Sequence, residues 1–148
     1  QNIGARQLDR VRKGFRSADV IGCIYAVAVG FILFFAGKYF AYLFISDNAE
    51  TVIPMVDIYL QCVGMFMIPL YVVNCYRNGF QGMGYGLLPM LSGVAELIGR
   101  GVMAVVAAHE KSYRMACMAS PFAWIVATAL LFVLYFYVMK DMKKKLCL

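Results

Sequence analysis

The chain has few of the side chains that carry enzyme or metal chemistry. It contains one histidine, and its five cysteines show no Cys-x-x-Cys spacing. His109 lies beside Glu110 with no cysteine cluster near it, so the pattern does not indicate a zinc-type site. No nucleophile, base and orienting residue are grouped as an enzyme needs them. The sequence therefore predicts no enzyme activity, no cofactor and no bound metal.

Charged residues are also scarce, at 15% of the 148 residues, whereas 63% are hydrophobic. Soluble domains are about half apolar, so a water-soluble fold of this length cannot bury so much apolar surface. The net charge of +6 is carried mainly by residues between the apolar runs. This distribution is typical of membrane orientation and argues against a nucleic-acid groove. We predict an integral membrane protein that binds no nucleic acid.

Four apolar runs are long enough to cross a bilayer as helices, since a span needs about 20 residues. The predicted spans cover residues 20–44, 52–76, 87–108 and 115–139, between a basic segment at 1–19 and a tail at 140–148. Their connections are short, which places successive helices side by side and antiparallel. The predicted fold class is all-α, with four antiparallel transmembrane helices in the lipid bilayer.

The basic residues predict the orientation of these helices. Ten lysines and arginines lie toward one side of the membrane and three toward the other, with Arg100 near the middle of the third span. The more basic side of a membrane protein faces the cytoplasm. We therefore expect a multi-pass protein of the plasma membrane with both ends of this chain in the cytoplasm.

Two segments resemble loops of the multidrug and toxic compound extrusion (MATE) transporters. Residues 1–6 read Gln-Asn-Ile-Gly-Ala-Arg and precede the basic stretch 9–14, similar to the cytoplasmic segment between the second and third helices of each half of the family. Residues 76–84 read Tyr-Arg-Asn-Gly-Phe-Gln-Gly-Met-Gly, similar to the inner loop between its tenth and eleventh helices. The resemblance implies that the four spans correspond to the ninth to twelfth helices of a twelve-helix, two-lobe transporter, with eight helices missing.

The resemblance also implies a function. The family exports cationic, drug-like amphipathic compounds in exchange for Na⁺ or H⁺ by alternating access of two lobes. Two alternatives stay open: a lipid-linked saccharide flippase of the same superfamily, and a self-contained four-helix scaffold or dimeric exporter. A flippase would need a strongly cationic cavity, and this chain offers only Arg100. The start at Gln1 rather than at methionine argues against a self-contained protein.

Glu96 and Arg100 lie four residues apart near the middle of the third span, so they share a helix face and we expect Glu96 to neutralise Arg100. A charge inside the membrane marks a functional site unless a partner explains it. In the functional interpretation Glu96 binds the coupling proton or cation; in the structural one the pair ties the helix into the bundle. An ion-paired carboxylate binds protons poorly, which favours the structural interpretation.

The second span carries two further candidates for an ion or substrate pathway and one candidate for a hinge. Asp57 and Gln61 share one helix face near the outer surface, where a carboxylate attracts cations or is simply stabilised by the helix dipole. Pro69 removes the hydrogen bond to the carbonyl of Met65, which makes it a hinge candidate or merely a tolerated kink. Some members of the resembled family carry a cation-binding aspartate where this chain has Leu70. The resemblance thus implies that the main ion site lies on helices outside this chain.

Overall fold

The computed structural model describes residues 1–45 and 48–146, and all regular structure in these ranges is helical. The helices are α1 Leu8–Ala41, α2 Ala49–Met65, α3 Met67–Gly82, α4 Leu87–Glu110, α5 Tyr113–Cys117 and α6 Ala119–Lys145. Ser46 and Asp47, which follow the predicted first span, and the last two residues of the predicted tail lie outside the described residues.

Among the described residues, three helical stretches are long and apolar enough to cross a membrane: α1, α4, and α5 joined to α6. Helices α2 and α3 pass the same test together, although they are bent by 56° at a short break. Counted as one span, this pair brings the total to four. The predicted all-α membrane fold is confirmed.

The first and last helices are longer than a bilayer requires. α1 has 34 residues and α6 has 27, which at 1.5 Å per residue amounts to about 51 Å and about 40 Å. A hydrocarbon core is only about 30 Å thick. The surplus turns carry Arg12, Lys13 and Arg16 on α1 and Lys140 to Lys145 on α6. We call this part of the bundle the basic end.

The bend in the second span lies three residues before Pro69, close to the hydrogen bond that this proline removes. α2 ends at Met65 and α3 begins at Met67. Pro69 has no N–H, so the carbonyl of Met65 loses its normal donor. In α3 itself Pro69 is the third residue, where an N–H has no intrahelical partner and its loss costs little. The predicted kink therefore becomes a break at Phe66, while Thr128 Oγ1 donates a hydrogen bond to the Pro69 carbonyl at 3.2 Å.

The second span also ends later than its sequence indicates. The hydrophobic run predicts an end at Tyr76 and a loop over residues 77–86, but α3 continues to Gly82. Arg77 is thus a helical residue, and its guanidinium contacts α4 instead of extending into water. The shorter connection comprises residues 83–86, where Gly84 has a φ of +87° that suits glycine.

Two glycines bring the backbones of α1 and α2 close together. A Cβ on Gly30 would lie 2.5 Å from the Gly64 carbonyl oxygen, and a Cβ on Gly64 would lie 2.9 Å from the Gly30 carbonyl oxygen. Small residues permit such approach between membrane helices, where dispersion contacts drive association. This contact fixes the end of α2 against α1, immediately before the break at Phe66.

The apolar core lies toward the basic end, where α1, α3 and α6 meet. Its buried members include Phe15, Tyr76, Phe80, Leu131 and Val138. The Phe15 and Tyr76 ring centroids are 5.2 Å apart, a separation typical of favourable aromatic pairs. In contrast, many large apolar side chains of α1 and α4 are exposed on the outer surface. Such faces suit contact with lipid or with further helices.

Candidate functional site

Three charged side chains meet between α3 and α4 inside the apolar part of the chain. Arg77 Nη2 lies 3.4 Å from Glu96 Oε1, and Arg100 Nη2 lies 3.8 Å from Glu96 Oε2. The Glu96 side chain is only 15% exposed, whereas that of Arg100 is 50% exposed. The pair between Glu96 and Arg100 is present as its spacing indicates, but the closer arginine comes from another helix.

Arg77 is fixed by further polar contacts. Its Nε donates a hydrogen bond to Ser92 Oγ at 2.6 Å, and Ser92 Oγ donates in turn to the Pro89 carbonyl at 2.8 Å. Ser92 is fully buried. The Nη2 of Arg77 is also buried and forms no hydrogen bond with good geometry in the described part of the chain, so its contact with Glu96 is mainly electrostatic. This network joins α3 to the first half of α4.

The charge balance of this cluster limits what Glu96 can do. Two guanidinium groups face one carboxylate, which leaves the cluster with a net charge of +1. The two positive neighbours repel any further cation that approaches the carboxylate. The geometry therefore adds support to a structural role for Glu96 and Arg100.

Asp57 and Gln61 form a second polar site, on α2. Gln61 Nε2 donates to Asp57 Oδ2 at 3.0 Å, and both side chains are partly buried. No lysine or arginine within the described ranges lies at ion-pair distance from Asp57. Nearby, the Tyr113 hydroxyl donates to the Met55 carbonyl at 3.1 Å, which ties α5 to α2. Asp57 keeps a carboxylate oxygen that can attract a cation.

The structure does not bring all five predicted residues together. Asp57 and Gln61 lie on α2, which packs mainly on α1 and α5, whereas Glu96 and Arg100 lie on α4, which packs mainly on α6. Pro69 stands between them in the chain, at the start of α3. The candidates therefore form two separate polar sites: Asp57 and Gln61 lie on the α2 half of the broken span, and Glu96 contacts its α3 half.

Sequence patterns missed two further polar contacts at the basic end. The Tyr76 hydroxyl donates to Asp19 Oδ2 at 3.0 Å, between α3 and α1. The Tyr85 hydroxyl donates to Asp141, and Lys145 Nζ lies 2.7 Å from the same carboxylate. Only the spacing of Asp141 and Lys145 carries a signal in the sequence, because the other contacts join distant positions.

Asp141 lies beyond the apolar stretch of α6, and its contacts with Tyr85 and Lys145 change its pKa. The hydrogen bond from Lys145 and then that from Tyr85 lower the pKa of Asp141, and the bond to Asp141 raises the pKa of Lys145. The ammonium also lies 5.0 Å from the Tyr85 ring centroid, a cation–π distance. These three groups fasten the loop before α4 to the end of α6.

No group of three or more histidine, cysteine, aspartate or glutamate side chains that could hold a metal ion occurs in residues 1–45 and 48–146. The Arg77–Glu96–Arg100 cluster and the Asp57–Gln61 pair present guanidinium, carboxylate and amide groups. Such groups bind ions and polar ligands by charge and hydrogen bonding.

Comparison with known protein families identifies a match. Residues 1–106 match the family model described as MatE. The matched range is 106 of 148 residues and includes α1, α2, α3 and most of α4, with Arg77, Glu96 and Arg100. No curated protein and no solved structure matches the chain.

Proposed function

The chain belongs to the MatE family of membrane transporters, which are not enzymes, and we propose that it forms part of a secondary antiporter that exports amphipathic cationic compounds. The exchanged ion is Na⁺ or H⁺, and transport proceeds by alternating access. The observation that carries this proposal is the broken second span, bent by 56° between α2 and α3.

Broken helices suit alternating access for two reasons. They present backbone carbonyls to an ion or substrate within the membrane, and they let two halves of a span move with different partners. Here α2 packs on α1 through Gly30 and Gly64. α3 is joined to α6 by Thr128 and to α4 by Arg77. Both halves contact α1, but α2 also packs on α5, whereas α3 packs on α6 and α4. The two halves therefore differ in their remaining partners, which supports Pro69 as a hinge.

Asp57 provides the cation-attracting group of this proposal. Its carboxylate is on the α2 half of the broken span and is engaged only by the Gln61 amide in the described part of the chain. In a partly buried setting, charge–charge attraction is screened less than in bulk water. We assign Asp57 and Gln61 to the substrate or ion pathway, and Glu96 with Arg100 to the tie between α3 and α4.

The proposal places the second lobe and the principal coupling site on helices other than those described here. Two pseudo-symmetric lobes require about eight helices besides those described here, and alternating access takes place between them. Leu70 offers no ligand to a cation, so the principal coupling site belongs to the other helices. The positively charged basic end supports a plasma-membrane orientation with both ends of the chain in the cytoplasm.

The experiment is transport of a fluorescent organic cation into proteoliposomes by the protein expressed from its complete gene. Imposed Na⁺ and H⁺ gradients are compared for wild type, Asp57→Asn and Glu96→Gln. The matched control is Glu110→Gln, since Glu110 is 59% exposed at the far end of α4 and pairs only with His109 in the described structure. One gradient should drive transport, and Asp57→Asn should raise KM several-fold with the control unchanged.

Two results would contradict the proposal. Transport driven by neither gradient would exclude secondary antiport of the cation tested. Equal kinetics in Asp57→Asn and Glu110→Gln would remove Asp57 from the pathway. A lower kcat in Glu96→Gln that accompanies lower thermal stability would agree with a structural tie. Loss of only the H⁺-driven component at full stability would instead make Glu96 the proton carrier.

A further inference from the structure

The basic end contains a cavity whose walls are rich in hydrogen-bond donors. It has a volume of about 410 Å³ and lies between α1 and α6. Its lining residues are Arg12, Lys13, Phe15, Arg16, Asp19 and Tyr135. Three cations on one side of α1 thus converge on a cavity that an aromatic residue of α6 closes from the other side.

The cations of this cavity are incompletely neutralised. Arg12 pairs with Asp9 at 3.5 Å, but the Asp9 side chain is 90% exposed, so this contact is weak. Lys13 and Arg16 have no acidic partner within ion-pair distance in residues 1–45 and 48–146. Like charges three and four residues apart destabilise a helix. An anion in the cavity would relieve this repulsion.

The one acidic residue of the lining does not compete for that anion's place. Asp19 Oδ2 accepts the hydrogen bond of the Tyr76 hydroxyl at 3.0 Å. Its other oxygen, Oδ1, is buried and accepts no hydrogen bond from the described residues. Asp19 therefore presents little acceptor surface, and the cavity keeps an excess of two positive charges. The acceptor-rich, negatively charged phosphate group matches such a set of donors.

We propose that this cavity binds the phosphate of an anionic phospholipid headgroup. The cavity lies where the surplus turns of α1 and α6 leave the hydrocarbon core, which is the depth of lipid headgroups. Basic pockets between membrane helices recognise such headgroups. Phe15 and Tyr135 form the apolar side of the site, and the outer face of α1 continues it toward acyl chains with exposed Ile24 and Phe31. The proposal does not depend on what the protein transports.

The test measures lipid binding to the detergent-purified protein, expressed from its complete gene, by native mass spectrometry. The probes are phosphatidylglycerol, phosphatidylcholine and, as a soluble source of the same group, inorganic phosphate. Lys13→Gln with Arg16→Gln is compared with Lys140→Gln plus Lys143→Gln, which removes the same charge from exposed positions outside the cavity. We expect the cavity pair to weaken phosphatidylglycerol binding by about tenfold or more and the control pair by less than about threefold.

Three outcomes would overturn the proposal. Equal losses in the two double variants would show general attraction to the basic end. Equal affinity for phosphatidylcholine would show that the net charge of the headgroup is not recognised. Displacement of bound phosphatidylglycerol by inorganic phosphate at the same concentration as the lipid would assign the cavity to a soluble anion. Thermal unfolding of each variant without lipid confirms that the comparison is made on folded protein.

Discussion

The close approach of Gly30 and Gly64 predicts that a single methyl group separates α1 from α2. A Cβ on Gly30 would lie 2.5 Å from the Gly64 carbonyl oxygen, whereas ordinary contact begins at 3.4 Å, so the shortfall is 3.4 − 2.5 = 0.9 Å. The opposing atom is backbone, and no side-chain rotation relieves the clash. Overpacking of this kind costs about 1–3 kcal/mol.

The matched control for Gly30→Ala is Gly101→Ala, because a Cβ on Gly101 of α4 meets nothing within 4 Å. Alanine gains helix propensity of up to about 1 kcal/mol over glycine, and this gain is common to both variants. Their difference in unfolding free energy, measured by equilibrium unfolding in detergent micelles, should therefore be about 1–3 kcal/mol. Moreover, Gly30→Ala and Gly64→Ala should not be additive, since both act on one contact. A difference below about 0.5 kcal/mol would refute the close approach of the two backbones.

Two further predictions concern the bend and the basic end. Pro69→Ala restores a donor for the Met65 carbonyl and should reduce the 56° bend, which distance measurements between spin labels on α2 and α3 would detect; an unchanged distance distribution would exclude proline as its cause. The lowered pKa of Asp141 means that its contact with Lys145 stabilises the fold above the usual carboxyl pKa of 3.8 and is lost as the pH falls through the lowered value. Thermal stability of wild type and Asp141→Asn should thus differ at neutral pH and converge in acid, and a difference that persists at low pH would contradict this cause.

Hydrophobic runs and charge asymmetry were sufficient to predict the helical membrane fold, because every backbone polar group in a bilayer must be satisfied within its own segment. The proline rule located the weakened bond at Met65, and the structure breaks the span there. By contrast, a sequence pattern cannot reveal which face of α1 meets α2. Both Gly30 and Gly64 are plain small residues in apolar runs, and only the packed bundle shows that they touch.

Loops were harder to predict than spans, and the physical reason is visible at the end of α3. Polar residues after an apolar run normally mark the membrane boundary, since leaving a charge in hydrocarbon is costly. That rule fails where another helix supplies the partners. The hydroxyl of Ser92 and the carboxylate of Glu96 face Arg77, so α3 continues for more than one turn past it. Arg77 and Glu96 are 19 residues apart and lie on different helices, so helical periodicity does not predict their contact.

The same contact reverses an expectation based on helix spacing alone. The (i, i+4) rule assigns the neutralisation of Glu96 to Arg100, so Arg100→Gln should be the damaging change. In the structure Arg77 is nearer to Glu96, at 3.4 Å against 3.8 Å, and its side chain is 24% exposed against 50% for Arg100. Removal of a partner costs more where burial is deeper, because the remaining groups are left unsatisfied. We therefore expect Arg77→Gln to lower the unfolding free energy in micelles by about 1–3 kcal/mol and Arg100→Gln by less than about 1 kcal/mol. If Arg100→Gln destabilised the protein more than Arg77→Gln, Arg100 would be the main partner of Glu96, and the ion pair between α3 and α4 would contribute little to stability.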